Sequence, residues 1–204
     1  MLEAIDLSLT RQDRLLFDAL SFRVNDGELL VVEGPNGAGK TSLLRVLAGL
    51  SLADEGNVQW DMGDTRSHWP TFTRDLAYIG HAPGIKLDLT AEENLQLAVR
   101  LGTPRAESAG EALSALGLTD HRDVLCRQLS AGQRRRVALA RLRACRSRLW
   151  ILDEPYTALD RDAVKTVDAM IHEHLEDGGV VVMTSHQTVR LDPKGLQRIR
   201  LGDD

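Results

Sequence analysis

The sequence predicts an α/β fold: a mostly parallel core sheet, an N-terminal antiparallel β subdomain and an inserted helical subdomain. Three observations carry this. The glycine-rich stretch "GPNGAGKTS" (34–42) follows an apolar run and opens a helical pattern. Two buried-looking strands, "LWILD" (149–153) and "VVVMTS" (180–185), flank a helix, which demands a right-handed crossover and parallel pairing. The first third alternates apolar and polar residues, the mark of half-buried antiparallel strands.

In chain order, "EAIDLSL", "LSFRV" (20–24) and "ELLVVE" (28–33) read as strands, with Asn25-Asp26-Gly27 as a turn between the last two. "TSLLRVLAGL" (41–50) has helical apolar spacing and a glycine near its end. "NVQW" (57–60) and "LAYIG" (76–80) read as strands. From about Thr90 to Arg143 the pattern is helical, with "AEENLQLAVRL" and "AGEALSALGL" both amphipathic. "RDAVKTVDAMIHEHLED" is the crossover helix, ended by Gly178-Gly179. The whole reads as one domain: residues 1–85 and 146–204 form the α/β core with its β subdomain, and 86–145 the helical part. Little chain follows "LQRIRLG", so no regulatory domain is expected.

Among 204 residues, 43% are hydrophobic and 27% charged, ordinary for a soluble globular protein. The net charge of −5 argues against nucleic acid as the main partner, because phosphate backbones select basic faces. "LLVV" and "VVVM" are too short to cross a bilayer, and the acidic, alternating start does not read as a signal peptide. Cys126 and Cys145 lack metal-ligand spacing; they read as buried or half-buried thiols of a reducing, cytoplasmic protein.

The glycine-rich stretch is a Walker A loop. Gly34, Pro35, Asn36, Gly37, Ala38 and Gly39 wrap a phosphate chain, and the helix N-terminus adds positive potential. Lys40 reaches the β- and γ-phosphates, Thr41 offers its hydroxyl to Mg²⁺, and Ser42 can bond the α-phosphate. At the end of "LWILDEP", Asp153 can hold Mg²⁺ through a water, and Glu154 can act as general base on the attacking water. The bland alternative is a strand that ends in solvated acids. His186, in "TSH", is placed to contact the γ-phosphate and Glu154; a lone histidine is more often structural. Finally, "LSAGQ" starts a helix. Ser130 and Gln133 have capping-box spacing across Ala131 and Gly132. A cap does not explain Gly132, which lets a phosphate approach free N–H groups. Arg134, Arg135 and Arg136 read as a solvated basic face.

Taken together and in this order, these motifs make the sequence resemble the ATP-binding cassette (ABC) ATPases over essentially its whole length, with "ALD" (158–160) as the D-loop and His186 as the switch histidine. The resemblance implies a homodimer sandwiching two ATP molecules. Each is held between the Walker A loop of one copy and Ser130 and Gly132 of the other, with Asp160 coupling the sites across the interface. Two positions depart from the family pattern. Where it carries a glutamine after "LAYIG", this chain has His81 or Ala82, and His81 is the candidate substitute. Where it carries an adenine-stacking aromatic, this chain has Arg11, whose guanidinium plane can stack; Phe17 is read as core.

Narrower phrases, "EGPNGAGKTSLLRVLAGL", "GHAPGIK", "LSAGQRRRVALARL" and "LWILDEPYTALD", resemble the ATPase subunit of haem exporters used in c-type cytochrome maturation. That implies a peripheral subunit on the cytoplasmic face of the bacterial inner membrane, with integral membrane permease partners that handle haem. Three other readings remain open. The first is an ABC exporter of lipid, antibiotic or peptide. The second is a soluble ABC-type machine, though long coiled-coil insertions and a tandem cassette are missing. The third is a P-loop metabolite kinase.

Overall fold

The structure, a computed structural model, describes residues 1–103, 107–185 and 195–202. Its strands and helices follow in the order β1 (Leu2–Arg11), β2 (Arg14–Val24), β3 (Leu29–Glu33), α1 (Lys40–Leu47), β4 (Glu55–Trp60), β5 (Gly63–Asp64), α2 (Trp69–Asp75) and β6 (Leu76–Ile79). There follow α3 (Ala91–Leu101), α4 (Ala109–Ala115), α5 (Ala131–Ala144), β7 (Leu149–Leu152), α6 (Arg161–Glu176), β8 (Val180–Thr184) and β9 (Leu196–Arg200). Two sheets form, in the orders β2-β1-β4-β5 and β6-β7-β8-β3-β9. The first is antiparallel and the second wholly parallel.

The inner strands of the parallel sheet, β3, β7 and β8, are buried on both faces, and this is why they read as unbroken apolar runs. Side chains alternate across a strand. Leu30, Val32, Leu149, Ile151, Val180 and Val182 therefore pack with α1 and the antiparallel sheet. Leu29, Val31, Trp150, Leu152, Val181 and Met183 pack with α3, α4, α5 and α6. The molecule is thus layered, with the parallel sheet in the middle. In β1 the buried positions shift from Leu2 and Ala4 to Leu7 and Leu9. An irregularity between Ala4 and Leu7, with Asp6 at φ 49°, resets the parity so that all four face one core.

Helices α3, α4 and α5 pack on one another, and each opens with a complete capping box: Thr90 with Glu93, Ser108 with Glu111, Ser130 with Gln133. Each cap is worth about 1 kcal/mol. The first two boxes use a glutamate and the third a glutamine. The first turn of α5 contains no acidic residue, so nothing in it neutralises the positive end of the helix dipole.

Several elements differ from the sequence expectation. Asn25-Asp26-Gly27 does not close a hairpin: β2 pairs with β1, whereas β3 pairs with β8 and β9, so this turn carries the chain from one sheet to the other. The short helix α2 and the strands β5 and β9 were not expected. The helix read over "AGEALSALGL" stops at Ala115. Arg135 is not on a solvated face: it is only 3% exposed. Phe17, Cys126 and Cys145 lie as expected, the first two buried and the third half-buried.

Candidate functional site

The site forms where strands of the parallel sheet end. The chain leaves β3 at Glu33 and passes through residues 34–39 into α1, whose N-cap is Gly39 in a left-handed conformation, φ 98°. Gly34 has φ +141°, and a Cβ there would collide with the Leu201 carbonyl oxygen, so only glycine fits. Lys40 is 8% exposed. Its ammonium donates to Gly34 O at 2.7 Å and Pro35 O at 2.9 Å, which holds it over the loop.

The end of β7 lies beside this loop. Asp153 is 2% exposed; its Oδ2 accepts from Thr41 Oγ1 at 2.8 Å and its Oδ1 from Thr184 Oγ1 at 2.7 Å. Thr184 Oγ1 in turn accepts from Glu154 N at 2.9 Å. Glu154 has φ +52°, an uncommon conformation for a residue with a side chain. A cavity of about 430 Å³ opens here, lined by Asn36, Gly37, Gly39, Lys40, Thr41 and Ser42 of the loop, by Asp153 and Glu154, and by Leu16, His81 and Thr157. A larger cavity of about 700 Å³ lies at the other ends of the strands, among Arg74, Arg146, Arg148 and His174, remote from this chemistry.

Of the other sequence candidates, His81 is exposed and lines the cavity. His81→Ala is expected to slow hydrolysis about fivefold, the worth of one hydrogen bond of about 1 kcal/mol, with ATP affinity unaltered. An unchanged rate would remove His81 from the site. Arg11 lies elsewhere: its guanidinium donates to Thr10 O and Leu52 O and pairs with Asp54, and it does not line the cavity. Two residues of β2 lie over the loop in its place. Leu16 packs against Gly39, and Arg14 Nη1 is 3.8 Å from where a Cβ on Gly37 would stand. Pro35 is exposed at the loop's edge and Ala38 is buried beneath it. His186 lies outside the described residues.

Ser130 and Ala131 are exposed, and none of Ser130, Ala131, Gly132 or Gln133 lines the cavity around Lys40. The capping box is complete: Ser130 N donates to Gln133 Oε1 at 2.8 Å, and Gln133 N to Ser130 Oγ at 3.1 Å. The amide nitrogen of Gln133 is then left facing His121 Nε2, at 2.8 Å. A Cβ on Gly132 would collide with the Ala158 carbonyl oxygen. This glycine therefore has an intrachain reason to be there, which the sequence did not reveal. Asp160 caps α6, its Oδ1 accepting from Ala163 N at 2.8 Å.

Sequence reasoning missed Thr184 and Arg135. Thr184 is the last residue of β8, and the only signal was a hydroxyl at the end of an apolar strand. Arg135 shares a stripe with Ala138, Leu139 and Leu142, all buried, so helical spacing did mark it as inward-facing. Its guanidinium donates to the carbonyls of Gly80 (2.7 Å), Asp153 (2.6 Å), Glu154 (2.8 Å) and Pro155 (3.3 Å). Burial pushes its pKa below the usual value, and the Asp153 and Glu154 carboxylates partly offset this. It still carries its proton at neutral pH.

The family model for ABC transporter proteins matches residues 17–157. The cytochrome c biogenesis ATP-binding export protein CcmA of Aliivibrio fischeri is 45% identical over 204 residues, covering 100% of both chains. The protein of the same description from Nitrosospira multiformis is 47% identical over 202 residues, 98% of each chain. Among solved structures, the dimeric structure of MJ0796, a bacterial ABC transporter cassette, matches with TM-score 0.83 over 98% of this chain and 94% of that one. At 24% identity, that likeness speaks for the fold alone. Since the model spans most of the sequence and the relatives align from end to end, this chain belongs to the ABC transporter family.

Proposed function

We propose that this chain hydrolyses ATP for a membrane-bound export complex of c-type cytochrome biogenesis, and that the complex exports haem or releases it to a haem chaperone. No helix among the described residues is long and apolar enough to cross a membrane, so the moving cargo path belongs to integral membrane partners. The chain would sit against them on the cytoplasmic face of the inner membrane. The full-length likeness to cytochrome c biogenesis export proteins supports this assignment.

The observation that carries the hydrolytic part is the 2.8 Å bond between Thr41 and Asp153, which joins the phosphate loop to the strand that presents Glu154. A hydroxyl and a carboxylate are hard oxygen donors, the set that suits Mg²⁺. Thr41 would hold the ion directly and Asp153 through a water; when bound, it neutralises charge on the β- and γ-phosphate oxygens. Lys40 and the loop N–H groups bind and orient the phosphates. Leu16 and Arg14 offer an apolar edge and a cation on the side of the loop facing β2. Glu154 takes a proton from the attacking water, and that water's oxygen forms the new bond to the γ-phosphorus as the bond to ADP breaks. Thr184 fixes both carboxylate residues at once, through Asp153 Oδ1 and Glu154 N.

The exposed start of α5 completes the site of a second copy. It is capped without an acidic group, and the phosphate loop of its own chain is lined by other residues. Two copies would close around two ATP molecules and reopen after hydrolysis, since a ligand bound by both favours the associated state.

Ser130→Phe tests the trans role. ATP binding by the isolated chain should stay within about twofold, while turnover with the membrane partners falls at least about tenfold, the scale of one charge-assisted hydrogen bond. Loss of binding in the monomer would contradict the assignment. For the cargo, the discriminating measurement is which membrane proteins copurify with the chain. Haem-containing subunits support the reading, and a lipid or drug permease overturns it.

A further inference from the structure

Arg135 is buried in an unusual way: its guanidinium is spent on main chain. Three of its four carbonyl acceptors, those of Asp153, Glu154 and Pro155, belong to the turn in which Glu154 takes its left-handed conformation. Such a conformation is unfavourable for a non-glycine residue and persists only where its surroundings hold it. The N–H of Glu154 is held from β8 by Thr184, at 2.9 Å. The carbonyl of Glu154 is held from α5 by Arg135, at 2.8 Å. The fourth acceptor, Gly80 O, is the residue before His81, so the same guanidinium also pins the loop that brings His81 to the cavity.

This grip comes from a particular helix. Arg135 lies two residues after Gln133, in the helix that begins with Ala131. About 6 Å of rigid helix separates Ala131 from Arg135 at 1.5 Å per residue. Only arginine fits the task. Its planar fork presents five donors, whereas a lysine ammonium offers three from a single point and cannot span these carbonyls.

We propose that Arg135 is a positioning residue for Glu154 of its own chain, acting from the helix whose first turn reaches the ATP held by the other copy. This rests on the reading of Glu154 as base and Ser130 as acting in trans. One chain then carries, a few residues apart, a group that touches one ATP and a group that orients the base for the other.

The test uses two differently tagged copies of the full chain, purified through both tags with their membrane partners. The reference pair is one unaltered copy with one E154Q copy, which leaves a single competent base. In the first altered pair, R135K is on the copy with the competent base and E154Q on the other. Hydrolysis should fall about 10- to 100-fold below the reference, the usual effect of misplacing a reacting group by about 1 Å, with KM for ATP within about threefold. In the second, R135K and E154Q share one copy and the other is unaltered. Its rate should equal the reference within about twofold. Equal losses in both pairs would make Arg135 a general structural residue, and no loss in the first would leave it without a role; either result overturns the proposal. Parental hydrolysis by an E154Q homodimer would instead remove the base assignment, and the proposal with it.

Discussion

Glu154→Gln is expected to stop ATP hydrolysis while leaving ATP binding intact. Glutamine keeps the shape of the side chain, and two of the groups that hold this position act on its backbone: Thr184 Oγ1 on the N–H and Arg135 on the carbonyl. The left-handed turn at Glu154 therefore survives the exchange. What is lost is the capacity to take a proton from water, and general-base contributions run to about 10²–10⁴-fold. Turnover by the complex should fall at least about 100-fold, at the low end of that range. Because ATP bound by two copies favours their association and is no longer consumed, the variant should accumulate as an ATP-dependent dimer. Size-exclusion chromatography with and without ATP reads this directly. A variant that hydrolyses at the parental rate would show that another group activates the water.

Lys40→Ala is expected to fail one step earlier, at binding. The ammonium is held over the loop by two carbonyls of residues 34 and 35, and it is the only lysine or arginine among the described residues lining the cavity. A hydrogen bond to a charged group contributes about 1.5–3 kcal/mol, and each 1.4 kcal/mol is tenfold in affinity. ATP should therefore bind roughly 10- to 100-fold more weakly by calorimetric titration. The loop N–H groups remain, so binding is weakened and not abolished. The fold should persist, because Pro35 is exposed and water can replace the ammonium there. In thermal melts the parental chain should gain stability with ATP at concentrations where the variant gains none. Equal ATP affinity in the two proteins would place the nucleotide elsewhere.

The inner strands of the parallel sheet were legible because burial on both faces leaves no polar alternation, and the β subdomain because burial on one face enforces it. β9 escaped because "LQRIR" alternates as an edge strand does, and nothing local says that it joins a parallel sheet beside β3. The turn at 25–27 was legible as a turn only: its residues bend the chain equally well whether the next strand pairs back or leaves for another sheet. In the site, the phosphate loop and the two carboxylates could be read because their chemistry depends on contiguous residues. Thr184 and Arg135 could not be assigned roles, since both act on residues of the turn after β7, distant in sequence. Helical spacing pointed Arg135 inward, but three adjacent arginines looked like one surface. Gly132 was read for what it allows outside the chain, and its neighbour inside the chain was invisible.

That inner neighbour changes what the glycine can record. A side chain at 132 would strike the Ala158 carbonyl within the same molecule, before any nucleotide or second copy is involved. Ala131, next to it, is exposed and already carries a methyl group. A descendant that had lost all hydrolytic activity, and was kept only as a scaffold, would still be selected for glycine at 132, whereas at 130 it could exchange serine for any other residue that caps α5, such as threonine, aspartate or asparagine. Over evolutionary time, retention of this glycine would mark chains that fold, and retention of serine in preference to other capping residues would mark chains that work.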